Sequence, residues 1–207
     1  MAGRIFDPNN AVFRPMGKLV DILVLSILWT VCSLPVVTLG AATAALYDAA
    51  VRGIRWEENG IYARFFATFK ANLRVGIPAA VLAELAALLL IGGQRLFHVY
   101  AMPDSISGVL YYAYLAVLVV ILGAAGYLFP TLSRFEFKVG GLFANCLRLA
   151  IAHLPTTLAL GVVLTASVWV CLRFLILPLF VVPCAAALIS SLLLERIFRP
   201  YLDQEKE

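Results

Sequence analysis

The chain has 207 residues, 63% of them hydrophobic and 14% charged, with 16 Lys and Arg against 12 Asp and Glu and a net charge of +4. A mean hydropathy of +0.96 excludes a water-soluble core, because a domain of this size would be left with large exposed apolar patches. No stretch outside the apolar runs is long enough for a separate soluble catalytic or nucleotide-binding domain, and the small positive excess suits a membrane surface better than nucleic acid.

The first 18 residues are mixed and polar and do not resemble a cleavable signal peptide, so the first apolar run is expected to be an anchor. Apolar residues then run between charges for 26 residues (22–47), 20 (75–94, interrupted by Glu84), 29 (105–133), 24 (149–172) and 21 (174–194). About 20 apolar residues cross a bilayer as a helix. The expected fold is therefore all-α and integral to the membrane. It is a polytopic bundle with membrane segments near 17–34, 36–52, 75–95, 107–129, 154–173 and 175–195. The count is five or six, because 36–52 is either a short separate segment or continuous with the first.

Charge bears on that choice. One continuous helix over 19–53 divides Lys and Arg 5 against 11 between the two sides, whereas a hairpin broken near Ser33-Leu34-Pro35 divides them 14 against 2, leaving only Arg95 and Arg173 outside. The positive-inside rule favours the hairpin, with both termini cytoplasmic. Pro35 lacks a backbone donor and Gly40 tolerates unusual backbone angles, so a reversal here is physically natural.

Two segments, 61–73 and 138–152, are expected to be cytoplasmic interfacial helices. Residues 61–78 and 138–155 form a weak repeat at an offset of 77, matching Phe66 to Phe143, Ala67 to Ala144 and Pro78 to Pro155. In the first copy Ile61, Tyr62, Phe65, Phe66, Phe69 and Leu73 share one face opposite Arg64, Lys70, Ala71 and Arg74. In the second, Leu142, Phe143, Cys146, Leu147 and Ala150 oppose Lys138, Asn145 and Arg148. Aromatics on one side and cations on the other suit the plane of anionic headgroups. The candidate cytoplasmic interaction surface is Arg64, Phe66, Lys70, Asn72, Arg74 and Arg148.

The four cysteines, Cys32, Cys146, Cys171 and Cys184, have no CxxC spacing, and His98 and His153 lie far apart, so neither a disulfide framework nor a metal site is expected. Small residues at Gly40–Ala45 and Gly123–Gly126 allow close helix approach. Tyr111, Tyr112 and Tyr114 read as interfacial anchors. Asp21 and Asp48 are expected to be solvated at segment ends. Glu84 is the candidate intramembrane polar site, since a carboxylate within an apolar run must be neutral, paired or facing water.

The stretch SLPVVTLGAATAALYDAAVR, preceded by LSILWTVC and followed by FFATFKANLR, resembles the signature of the YesL-like bacterial membrane proteins, a domain-of-unknown-function family. Its landmarks fall on Trp29, Pro35, Thr38, Gly40, Ala44, Phe66 and Asn72, with Trp29, Pro35, Thr38 and Gly40 forming the signature hairpin. Ala41 stands where the family often has proline. The resemblance implies a setting beside carbohydrate ABC importers in the plasma membrane, and it carries over no catalytic residues.

No GxxxxGK[ST], GxSxG or HExxH motif occurs, so no enzymatic activity and no cofactor are expected. The expected function is a non-enzymatic accessory protein of an oligosaccharide ABC importer, associating with permease subunits through helix faces. The alternatives are a small independent transporter or channel using Glu84, and a membrane scaffold or signalling partner. The lipid bilayer is the expected partner in every case, and nucleic acid in none.

Overall fold

The computed structural model describes residues 13–100, 106–135, 137–174 and 178–204, and every regular element among them is helical. The elements are α1 (Phe13–Cys32), α2 (Leu39–Ala49), α3 (Ile61–Tyr100), α4 (Ile106–Ala125), α5 (Leu128–Arg134), α6 (Val139–Ala152), α7 (Leu154–Phe174) and α8 (Val182–Gln204). Short 3₁₀ turns occupy Val36–Thr38 and Pro178–Phe180, and Ala50–Arg55 continues α2 as a π-helical stretch. Residues 1–12, which include Arg4, and 175–177, where the last expected segment begins, lie outside the described residues.

The signature hairpin forms. α1 ends at Cys32, and the Thr38 hydroxyl lies 2.6 Å from the Cys32 carbonyl oxygen and 2.7 Å from that of Pro35, closing the turn. Further down, Trp29 Nε1 donates to Thr43 Oγ1 at 3.1 Å. At the open end Lys18 pairs with Glu57 at 2.7 Å and the Tyr62 hydroxyl donates to Asp21 at 2.7 Å. Contacts at both ends show that α2 and its π extension return alongside α1. With 11 and six residues respectively, they reach only about 25 Å, short of a hydrocarbon core of about 30 Å.

α2 can be short because it lies inside the bundle. Gly40, Ala41, Ala42, Ala44, Ala45, Leu46, Tyr47, Asp48 and Ala49 are all buried, and α1, α3, α5 and α8 surround them. The alanines present almost no side chain, so van der Waals contact runs nearly from backbone to backbone. A Cβ on Gly40 would stand 2.5 Å from the Gly76 carbonyl oxygen and 2.7 Å from Phe129 Cε1. The second small-residue patch acts likewise, since Gly123 abuts the Thr157 carbonyl and Gly161 that of Val119, which joins α4 to α7.

The expected separation of 61–73 from 75–95 is not seen. α3 runs 40 residues without interruption through Pro78, about 60 Å and twice the thickness of a hydrocarbon core. Pro78 leaves the Arg74 carbonyl without its helical donor, and exposed Arg74 sits where water can supply one. The other copy of the repeat does break: His153 leaves helical geometry at φ −123° and ψ 53°, and Pro155 falls at the second position of α7, where proline is tolerated. The repeat is thus one of sequence pattern and not of backbone. The segment expected at 107–129 divides into α4 and α5 at the turn over Gly126-Tyr127. α8 begins at Val182, within the segment expected at 175–195.

By length and composition, three stretches among the described residues can cross a membrane: Ile61–Arg95, Gly108–Arg134 and Leu154–Phe174. α1 carries Lys18 and Asp21 early, and α8 carries Glu195, Arg196 and Arg199 in its second half, which dilutes their apolar character. The protein is a helical membrane protein.

Candidate functional site

One end of the bundle gathers charge. Asp48 (α2), Arg52 (π stretch), Arg134 (last residue of α5) and Glu195 (α8) come from three separated parts of the chain and meet in one ionic cluster. Arg134 is its hub. Its side chain is 2% exposed, and it donates to Asp48 Oδ1 at 3.1 Å and to Glu195 Oε1 at 2.8 and 3.2 Å. The guanidinium also lies 5.0 Å from the Trp56 ring centroid and 5.8 Å from that of Tyr47, a placement that suits a desolvated cation. Tyr47 donates its hydroxyl to Glu195 at 3.2 Å, and Thr68 donates to Asp48 Oδ2 at 3.0 Å.

The π stretch sets the remaining geometry. Arg52 lies one turn beyond Asp48, 3.0 Å from its Oδ1. Arg55 reaches the other way, donating to the carbonyl and hydroxyl oxygens of Ser191 on α8 at 3.0 and 3.3 Å. The stretch stops at Glu57, which adopts φ +58°, and Gly60, at φ +81°, turns the chain into α3. A left-handed angle at a non-glycine residue is uncommon, and the Lys18–Glu57 pair sits on it.

Asp48 is therefore not solvated as the sequence suggested. It is 4% exposed and held by two guanidiniums and a hydroxyl. Arg134 and Glu195 were not legible as a site at all. Each closes an apolar run, where a charge ordinarily faces water, and only tertiary packing places them together. The available signal was Asp48 itself, an acid inside a stretch of small apolar residues with an arginine four positions on.

Beside the cluster opens a cavity of about 1100 Å³. Among the described residues, five cations contribute to its wall, Arg52, Arg64, Arg74, Arg134 and Lys138, against one acid, Asp48. Three members of the sequence-derived surface, Arg64, Asn72 and Arg74, converge on it. Phe66 and Lys70 are exposed and do not line it. Arg148 lines a smaller cavity of about 330 Å³, which shares Phe135 and Phe137 with the first. Arg64 is committed to Glu58 at 2.6 Å.

The other singled-out residues are dispersed. Glu84 is half-buried far along α3, and its Oε1 has no hydrogen-bond donor among the described residues. Tyr114 does more than anchor, since its hydroxyl donates to the Leu90 carbonyl at 2.6 Å and ties α4 to α3. In α6, Leu142, Cys146 and Ala150 of the apolar face are buried within the protein, whereas Leu147 of the same face is 59% exposed. Burial pushes the Cys146 thiol up to about 11, partly offset by the Thr131 hydroxyl. The cysteines are free, and among the described residues no three His, Cys, Asp or Glu side chains stand together where a metal ion could sit. The His98 side chain lies outside the described residues.

Residues 22–92 match the model of the family described as "Protein of unknown function, DUF624". The match spans 71 of the 207 residues. The YesL-like proteins are that family, so the resemblance read from Trp29, Pro35, Thr38 and Gly40 holds. The matched stretch covers most of α1, the hairpin, α2 with its π extension and α3 as far as Gly92. It contains Asp48, Arg52, Arg64 and Arg74, while Arg134, Lys138 and Glu195 lie beyond it. No curated protein and no solved structure matches the chain.

Proposed function

We propose that this DUF624 protein is a non-enzymatic accessory subunit of a bacterial carbohydrate ABC importer in the plasma membrane, docking on permease subunits through helix faces. Its charged end, with Lys18, Arg52, Arg64 and Lys138, would face the cytoplasm, in keeping with the positive-inside rule. One observation carries the docking. Residues 85–89 of α3 are all exposed, more than one full turn of helix, so no residue of that turn is buried by the described residues. Leu88 and Leu89 are 66% and 79% exposed, and Gly92, one turn further, has open space where a Cβ would stand. Lipid can solvate such a surface, but a small residue in a bare apolar stripe is also what a second helix requires for close approach.

Extraction in a mild detergent should recover the protein with importer permease subunits, and Gly92→Leu should weaken that recovery without changing its own yield. Recovery of the chain alone from native membranes, under conditions that keep the importer itself intact, would overturn the proposal.

A second reading has its own support in Glu84, whose buried Oε1 lacks a donor among the described residues. A carboxylate within an apolar span is often part of an ion or proton path. Flux of protons or sugar through proteoliposomes containing only this protein, abolished by Glu84→Gln, would favour an independent transporter over the accessory subunit.

A further inference from the structure

We propose that the cavity at the charged end is a binding site for an organic phosphate, taken up by Arg74 of α3 and Lys138 at the start of α6. The inference is independent of the importer reading and rests on charge, commitment and shape.

Among the described residues the wall has five cations and one acid, and that acid is already neutralised by Arg52 at 3.0 Å and Arg134 at 3.1 Å. Arg134 is further bound to Glu195, and Arg64 to Glu58. Arg74 and Lys138 remain. Both are exposed and line the cavity, and neither has an acidic or hydrogen-bonding partner among the described residues. Two uncommitted cations facing one space match a group with up to two negative charges and several acceptor oxygens, which describes a phosphate ester.

Backbone adds to the field. α3 and α6 both start at this cavity, since Gly60, which precedes α3, and Lys138, which precedes α6, line it. Lys138 provides no side-chain cap, and the positive end of the α6 dipole begins beside the cavity at this lining residue. The volume of about 1100 Å³ far exceeds inorganic phosphate and suits a phosphate with an organic body. Val75, Leu132, Phe135 and Phe137 provide apolar wall for that body. Anionic lipid headgroups and soluble phosphorylated metabolites share this chemistry.

The test uses the full chain in nanodiscs, with native mass spectrometry as the readout. One arm adds glycerol 3-phosphate to nanodiscs of phosphatidylcholine; the other compares phosphatidic acid retained by the protein with phosphatidylcholine retained. Binding in either arm is expected, and which arm responds identifies the source. Arg74→Gln and Lys138→Gln should each weaken that binding about tenfold and the double variant about a hundredfold, as loss of one or two charge-assisted contacts implies. Lys70→Gln, an exposed cation outside the cavity, should stay within about twofold of wild type, as expected of a charge that is mostly solvated. Size-exclusion profiles confirm that the variants fold, and among the described residues neither targeted side chain has a partner that folding would need. Absence of binding in both arms would overturn the proposal. So would equal losses from Lys70→Gln and Arg74→Gln, because the attraction would then be diffuse surface charge.

Discussion

Arg134→Met is the most informative single change. Methionine fills much of the same volume and can lie against Trp56 and Tyr47, so the perturbation is chiefly electrostatic. What it leaves behind is unequal. Asp48 keeps Arg52 at 3.0 Å and the Thr68 hydroxyl at 3.0 Å, whereas Glu195, its side chain 10% exposed, keeps only the Tyr47 hydroxyl at 3.2 Å. Breaking a buried pair from one side costs about 3–5 kcal/mol, and most of that cost belongs to Glu195. At roughly 2–4 °C per kcal/mol for a chain of this size, the melting temperature should fall by about 6–20 °C. Glu195→Gln is milder, about 1–2 kcal/mol, because the amide oxygen still accepts from Arg134 and Tyr47. The double variant Arg134→Met/Glu195→Met removes the stranded carboxylate and should recover a large part of the loss, a coupling visible in a double-mutant cycle. Heating in detergent with a thiol-reactive fluorophore reads these differences, since Cys146 and Cys184 are 4% and 0% exposed. A loss below about 1 kcal/mol for Arg134→Met would refute the assignment of Arg134 as the hub. So would a double variant no more stable than the single.

Gly40→Leu should prevent stable assembly, and Gly40→Ala should cost about 1–3 kcal/mol in the same assay, because even a methyl group meets the Gly76 carbonyl and the Phe129 ring; a neutral Gly40→Ala would deny the close α2–α3 contact. Thr43→Val removes the acceptor of the Trp29 indole and should cost about 1 kcal/mol, with a change in tryptophan emission as the local check. In a variant with Cys146 as its single cysteine, the thiol raised to about 11 should alkylate slowly at pH 8 and about tenfold faster per pH unit toward pH 10, since the thiolate is the nucleophile. Labelling at pH 8 as fast as an exposed thiol would contradict its burial. Glu84→Gln should leave the melting temperature unchanged or raised, because it removes an ionisable group from an apolar span without breaking a hydrogen bond of Oε1; a clear destabilisation would reveal a donor not provided by the described residues.

The helical class, the hairpin at Pro35 and the close approach of small residues were legible because each depends on local chemistry or composition. Hydropathy run lengths fix the solvent, a missing amide ends α1, and Gly40 to Ala45 have little side chain to hold helices apart. The continuity of α3 was not legible. Pro78 reads as a boundary, yet a proline only removes one donor and crowds the preceding turn, and a helix packed along α2 through Gly76 keeps its course. The ionic cluster was hidden for another reason: Arg134 and Glu195 are 61 residues apart, and charge at the edge of an apolar run looks the same whether it meets water or an opposite charge. The basic surface of 61–74 was half legible. Helical phase alone placed Arg64 and Arg74 together, but it takes the wall provided by Leu132, Phe135, Phe137 and Lys138 to make their side concave.

The two ends of the molecule are held by different physics, and that difference bears on function. At the charged end four helices and the π stretch are locked through Arg134, and the hairpin is pinned again by Lys18–Glu57 and Tyr62–Asp21. Away from it, every residue of α3 from Leu85 to Leu89 is exposed. A bundle stabilised by apolar packing throughout would bury that turn. One fixed at one end by buried ion pairs can leave a full turn of helix free to meet another surface within the bilayer, while the rigid end keeps a charged cavity open. The proposed partner docking and the proposed anion binding would thus call on opposite ends of α3. Arg134→Met should therefore disturb phosphate binding before it disturbs docking at Gly92, and Gly92→Leu should do the reverse.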